Sequence, residues 1–497
     1  KYSVLGQILG IVANFVTRMV FVRVLSAEYL GVNGLFTNIL SILAFAELGI
    51  GPAIVYAMYK PLAEKNVVLI KGLMSLFKKA YITIGFFILV VGASLAPFLE
   101  GFIKEVPDIN NLKLIYLLFV FNTASSYFFS YKRSLLVADQ KKYIDAFYQV
   151  VYLVIRSVSQ ILILLYTGNY ILFLGTQIVL TFIENLTISI KVDQMYPYLK
   201  SKETGIIEKP IREGIMKNIK AMVFHKMGEV AVMGTDNLLI SKFVGIVEVG
   251  LYSNYLLIIN ALKQTFNMIF QSMIASIGNL GATESQERKE FIFRCIDFLG
   301  LWIYGFSSIA LLSLFNPFIR FWVGEKYLFP MNIVALIVLS FYLTGRRKSV
   351  LTFRDALGLF WYDRHKPIFE SIINLSVSIF LVTLIGFEGV ILGTIISTLT
   401  TSFWIEPYVL YKHGFQMPVK THFKRYFSGT ILILGVGMLN YWLLSFFGDS
   451  FLGFFGKVMV TAMVPNLLVA LFFWRTEEFQ YVVSILLPRL KKLLRWK

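Results

Sequence analysis

Apolar residues in this chain run in blocks of about 20 from one end to the other, and polar residues cluster in the short stretches between them. At a rise of 1.5 Å per residue, a helical block of about 20 residues crosses a hydrocarbon core roughly 30 Å thick. The blocks predict fourteen spans, near residues 3–25, 33–58, 74–97, 112–131, 147–166, 170–191, 219–241, 250–275, 292–316, 330–347, 367–385, 388–410, 426–447 and 453–474. The fold class expected is an all-α polytopic membrane protein. The longest outward loops run from Phe98 to Asn111 and from Pro317 to Phe329. The longest inward one, Val192 to Asn218, has the polar, Lys-rich character of a linker.

The polar positions inside the blocks carry the chemistry. Residues seven apart on a helix return to within about 20° of each other. Gln7, Asn14 and Arg18 form a polar stripe on span one, and Asn218, His225, Glu229 and Asp236 form one on span seven. Gln149, Arg156 and Gln160 share a face of span five. Asn260, Gln264, Asn267 and Gln271 line span eight, with Lys263 one turn before Asn267. Such stripes are costly against lipid, so they look onto protein or a water-filled cavity. Four of them together favour a cavity. Glu47 precedes "GIGP" (Gly49 to Pro52), which is expected to break span two. Glu184 is expected to reach the inner interface and Lys226 to snorkel. Arg18 and Asp236, of opposite sign, could neutralise each other or contact different parts of a substrate.

A weak internal repeat organises the blocks. "TRMVFVRVLSAEYLGVNG" from Thr17 is matched by "TDNLLISKFVGIVEVGLYSN" from Thr235, and Glu28 and Gly31 correspond to Glu248 and Gly250. The offset of about 218 residues spans an even number of crossings, so the halves are parallel repeats. The expected division is an N-lobe over 1–191 with spans one to six, a cytoplasmic linker over 192–218, a C-lobe over 219–410 with spans seven to twelve, and spans thirteen and fourteen with a basic tail over 411–497. Two six-helix lobes would then flank a central cavity. The tail "YVVSILLPRLKKLLRWK" is expected to lie on the inner leaflet as an amphipathic helix.

Composition narrows the class. With 57% hydrophobic residues and a mean hydropathy of +0.70 over 497 residues, no large water-soluble domain is left over. The net charge of +18 reads as topology and not as a nucleic-acid surface. With the N-terminus inside, about 36 of the 47 Lys and Arg fall on the cytoplasmic side and about seven outside. The other four, Arg18, Arg156, Lys226 and Lys263, lie within spans. Both termini are therefore expected in the cytoplasm. The first segment lacks the marks of a cleavable signal peptide. The single Cys295 excludes an internal disulfide. No G-x-x-x-x-G-K-[ST] and no Cys/His cluster of metal-ligand spacing occurs, so no cofactor or metal is expected.

"EYLGVNGLFTNILSILAFAELGIGPAIVYAMYKPLAEKN" (Glu28 to Asn66) and "GTDNLLISKFVGIVEVGLYSNY" (Gly234 to Tyr255) resemble the Wzx-type polysaccharide-repeat flippases of Gram-positive capsule and exopolysaccharide systems. These form a branch of the multidrug/oligosaccharidyl-lipid/polysaccharide exporter superfamily. The resemblance implies a transporter of the bacterial cytoplasmic membrane that moves an undecaprenyl-diphosphate-linked oligosaccharide from the inner to the outer leaflet by alternating access. A polysaccharide polymerase and chain-length machinery are the implied partners. By similarity to the related lipid II flippases, Arg18 inherits the role of a first-span cavity arginine. The residues agree with this reading. A diphosphate needs positive charge and donors in a partly dry site. Arg18, Asn14, Arg156, Lys226, Lys263, Gln264 and Asn267 are the substrate-binding candidates. The chain has no nucleotide site, so an H⁺ or Na⁺ gradient is the expected energy source. Asp236, Glu229, His225 and Glu47 are the candidates to bind the coupling cation. The alternative is a cation-coupled multidrug or small-molecule exporter of the same superfamily. A polymerase or glycosyltransferase is disfavoured because the outward loops are too short to hold its site.

Overall fold

The computed structural model describes residues 2–47, 50–201, 207, 209, 211–216, 235–448 and 450–494. Among these residues all regular structure is helical. Ten helices are long and apolar enough to cross a membrane, and they coincide with ten of the fourteen expected spans. The other four depart from a simple apolar block for separate reasons. Span two is split into Ala27–Leu43, a 3₁₀ turn Ala44–Glu47 and Ile50–Ala63, as the "GIGP" stretch predicts. Span seven lies mostly outside the described residues. Span eight is part of a 38-residue helix, Ile246–Thr283, whose polar stripe dilutes its apolar content. Span ten is a 16-residue helix, Met331–Arg346. The chain is thus a multi-pass, all-α membrane protein.

Two compact units divide the chain, Lys1–Ser253 and Asn254–Lys497. The first holds α1 (Tyr2–Val24), α2 (Ala27–Leu43), α3 (Ile50–Ala63), α4 (Val67–Leu95), α5 (Leu112–Ala138), α6 (Lys142–Thr167) and α7 (Tyr170–Met195). It also holds the single turn Asp236–Leu239 and the start of α8 (Ile246–Thr283). Here α1 packs along α6, α4 along α5, and α7 against both α5 and α6. Local chemistry sets the corners. Gly168 ends α6 in the left-handed region at φ +60°, and Asn169 caps α7 by accepting the N–H groups of Ile171 and Leu172. A helical hairpin therefore needs only "GN" between its two spans.

The second unit continues α8 and adds α9 (Gln286–Trp322), α10 (Met331–Arg346), α11 (Lys348–Ala356), α12 (Lys366–Ile385), α13 (Phe387–Phe415), α14 (Lys420–Leu444), α15 (Phe451–Phe473) and α16 (Glu477–Leu494). Helix α9 is its axis and packs against α10, α14, α15 and α16, while α12 lies along α13. An aromatic cluster of Phe293, Phe353, Tyr411 and Phe415 sits in its core. Large apolar side chains such as Val90, Leu165, Met438 and Leu471 stay exposed on the helices, as lipid-facing positions must.

Candidate functional site

The two copies of the repeat motif touch in space. Gly31 of α2 faces the backbone of α8, where an added Cβ would lie 1.9 Å from the carbonyl oxygen of Ile246. Gly250 of α8 faces α2 in return, and its Cβ would lie 2.4 Å from the carbonyl oxygen of Ala27. The matched glycines of the repeat are therefore the contact by which the starts of the two helices cross, backbone against backbone.

One turn past Gly250, Ser253 accepts a hydrogen bond of 3.0 Å from Nη1 of Arg18 on α1. A tyrosine lies in reach of this guanidinium's field, and an amide and two further rings hold that tyrosine. Tyr170 of α7 interacts with it electrostatically. Asn33 of α2 donates to the Tyr170 hydroxyl at 3.4 Å. The rings of Tyr29 and Phe21 stand edge-on to Tyr170 at 5.0 Å and 5.7 Å. Among the described residues no carboxylate pairs with Arg18, and the Arg18–Asp236 pair that the sequence allows is not formed. Asp236 opens the single turn Asp236–Leu239 and interacts electrostatically with Tyr252. Its neighbour Asn237 is buried beside Gly34.

The other candidates fall elsewhere. Arg156 donates to Thr181 at 3.2 Å and stands 4.0 Å from Glu184. Glu184 is buried and takes a 2.7 Å contact from Arg133, which also reaches Asp145 at 3.3 Å. Two arginines and two acids thus balance inside the first unit. Glu184 does not reach the interface as expected, because α5 and α6 bring it two cations that sequence spacing cannot show. Gln149 bonds to Asp145, and Gln160 donates toward Phe173 and Gln177. Arg156 and Gln160 of the span-five stripe therefore face α7, while Gln149 is exposed and bonds within its own helix. Asn14 on α1 and Gln264 on α8 are exposed, and Lys263 and Asn267 are partly so. A polar face left open at membrane depth requires water or a ligand against it. Glu47 accepts hydrogen bonds from Tyr81 and Tyr127. His225, Lys226 and Glu229 lie outside the described residues.

Two arginines at the end of span ten are held inside the second unit, Arg346 buried and Arg347 partly so. Arg346 donates to the Asp297 carbonyl at 2.8 Å and to its carboxylate at 3.2 Å, and Ser349 donates to the other carboxylate oxygen at 2.7 Å. Arg347 grips Glu406 with two donors at 3.0 and 2.7 Å and reaches Glu370 at 3.2 Å. Lys366 also bonds to Glu406. "GRR" at the end of an apolar block looks like an interfacial anchor. Only the positions of the acids on α9, α12 and α13 distinguish a lock from an anchor.

No protein-family model matches the chain, and no curated protein matches it in sequence. Solved structures do match it. The lipid II flippase MurJ in an inward closed conformation is 15% identical, with 95% of this chain and 98% of that one covered and a TM-score of 0.63. An inward-facing multidrug resistance MATE family transporter of the MOP superfamily is 13% identical over 81% of this chain and 94% of that one, with a TM-score of 0.60. A mutant of the Vibrio cholerae MATE transporter VcmN is 12% identical over 84% and 96%, with a TM-score of 0.56. The chain has the fold that these flippase and transporter structures share.

Proposed function

We propose that this protein is a flippase that moves an undecaprenyl-diphosphate-linked oligosaccharide from the inner to the outer leaflet of a bacterial cytoplasmic membrane, for capsule or exopolysaccharide synthesis. The observation that carries the reading is Arg18. It is a guanidinium within a membrane span that donates to the Ser253 hydroxyl and lies in the field of the Tyr170 phenol, and among the described residues no carboxylate pairs with it. A cation so placed is costly unless an anion joins it. A diphosphate suits the planar, two-pronged donor better than a single anionic oxygen does. The exposed amides on α1 and α8 suit sugar hydroxyls, and the polyprenyl tail can remain in lipid. The likeness in fold to a lipid II flippase supports a lipid-linked substrate. Alternating access of the two repeats, coupled to H⁺ or Na⁺, would drive the step.

The test is translocation of a fluorescent polyprenyl-diphosphate oligosaccharide by purified protein in liposomes. Arg18→Ala is expected to abolish it, and Arg18→Lys to retain part, because the charge stays while the fork is lost. Wild-type translocation by Arg18→Ala, or movement of cationic drugs in place of the lipid, would sink the reading.

A further inference from the structure

A small cavity lies in the second unit where the end of α10 meets α13 and the start of α14. Arg346, Arg347, Ser402, Glu406, His422 and Tyr426 form its polar lining. A wide π-helical turn, Thr398–Ser402, interrupts α13 and ends at Ser402. His422 and Tyr426, four residues apart, share a face of α14, with ring centroids 6.2 Å apart. The Arg346 guanidinium stands 5.1 Å from the centroid of the Tyr426 ring. Four of these side chains are buried, and each has one buried polar atom with no hydrogen-bond partner among the described residues. They are Nε of Arg346, Oγ of Ser402, Nδ1 of His422 and the hydroxyl of Tyr426.

Buried polar atoms are almost always bonded, to protein or to ordered water. Left bare, each would forfeit the hydrogen bond it makes with water in the unfolded chain. Four such atoms on one cavity therefore point to a ligand, and three features select it. The first is size. About 10 Å³ is open to the centre of a water-sized molecule, which is about one water. The second is charge. Arg346 pairs with Asp297, and Arg347 and Lys366 pair with Glu406 and Glu370. Three cations already stand against three acids, so an added ion would be a buried charge without a counter-charge, which is costly. The third is hydrogen-bonding sense. Nε of Arg346 can only donate, while the two hydroxyls and the imidazole nitrogen can each give or take. Water both accepts and donates, so it meets all four groups in either tautomer of His422. We propose that one buried water sits among these four groups and joins α10, α13 and α14. It adds a further polar tie between α10 and α14, beside the direct bond of 2.8 Å between the hydroxyls of Tyr342 and Thr430. The site is independent of the transport reading, and its test measures no transport.

Thermal unfolding of the full-length protein in detergent gives the test a sign. If a water bridges the groups, Ser402→Ala and Tyr426→Phe each take a partner from it, and each should lower the melting temperature by about 2–4 °C. If the cavity is dry, each variant removes a bare polar atom, and the melting temperature should hold or rise. A hold or rise in both variants overturns the proposal. Replacing chloride by gluconate at equal ionic strength should leave the wild-type melt unchanged. A melt that depends on chloride would assign an anion and overturn the water. Pulsed X-ray radiolysis reads the water directly, because it splits water in place and oxidises the side chains that touch it. His422 or Tyr426 is expected to be oxidised in wild type although both are buried. Oxidation should drop in Ser402→Leu, whose side chain takes the water's space. Oxidation of neither residue in wild type would overturn the site.

Discussion

Replacing Gly31 by Ala probes the crossing that joins the repeat motifs. The new Cβ would sit 1.9 Å from the Ile246 carbonyl oxygen, while ordinary contact begins at 3.4 Å. The two helices must therefore part by 3.4 − 1.9 = 1.5 Å. Neither side can turn away, because the opposing atom is backbone held in a helix. Overpacking of this kind costs about 1–3 kcal/mol, and contact with rigid backbone belongs at the upper end. For a unit of this size, about 3 kcal/mol lowers the melting temperature by about 6–12 °C. Parting the helices also moves Ser253 from Arg18, so translocation should fall with stability. Gly250→Ala acts at the same crossing, and the double variant should lose less than the sum of the singles, since the first already opens the gap. Gly175→Ala on α7, where nothing lies within 4 Å of the added Cβ, is the control. It should melt at or slightly above wild type, because Ala favours the helix. The assay is thermal unfolding in detergent with liposome translocation beside it. Gly31→Ala melting within about 2 °C of wild type, with Gly175→Ala behaving as expected, would refute the close crossing.

Two further outcomes follow from the ion clusters. Glu406→Ala leaves the partly buried Arg347 and the buried Lys366 with Glu370 as their only acid among the described residues. Breaking a buried pair costs about 3–5 kcal/mol, so this variant should accumulate poorly and melt well below wild type in detergent, and an unchanged melt would show that the cluster contributes nothing. At the turn between α5 and α6, burial raises the pKa of the Asp139 carboxyl, but hydrogen bonds from Lys141 and Tyr196 and the Lys141 charge outweigh it and hold it below the usual carboxylate range. A lowered native pKa contributes stability above the unfolded value of about 3.9, and this is lost as pH falls through the native value. Asp139→Asn should therefore melt slightly below wild type at neutral pH and converge with it in acid, and a gap that widens in acid would reverse the assignment.

The sequence by itself determined the class of protein and the position of most spans. In a bilayer each backbone group must be satisfied within its own helix, so an apolar block of the right length has one structural outcome. It also exposed the break at "GIGP", which depends on residues adjacent in the chain, and the matched Gly31 and Gly250, which an internal repeat shows. What it could not decide was which polar groups face one another. Arg156 and Arg18 both read as substrate cations, but α7 brings Thr181 and Glu184 to Arg156, while among the described residues Arg18 meets Ser253 and Tyr170. Arg346 and Arg347 end an apolar block, and only the structure brings Asp297 and Glu406 to them, from helices about 50 to 60 residues away. The periodicity of one helix shows that a polar face must be covered. Whether protein or open space covers it is decided by the packing of several helices, because the energy of a charge at membrane depth depends on partners that one helix does not contain.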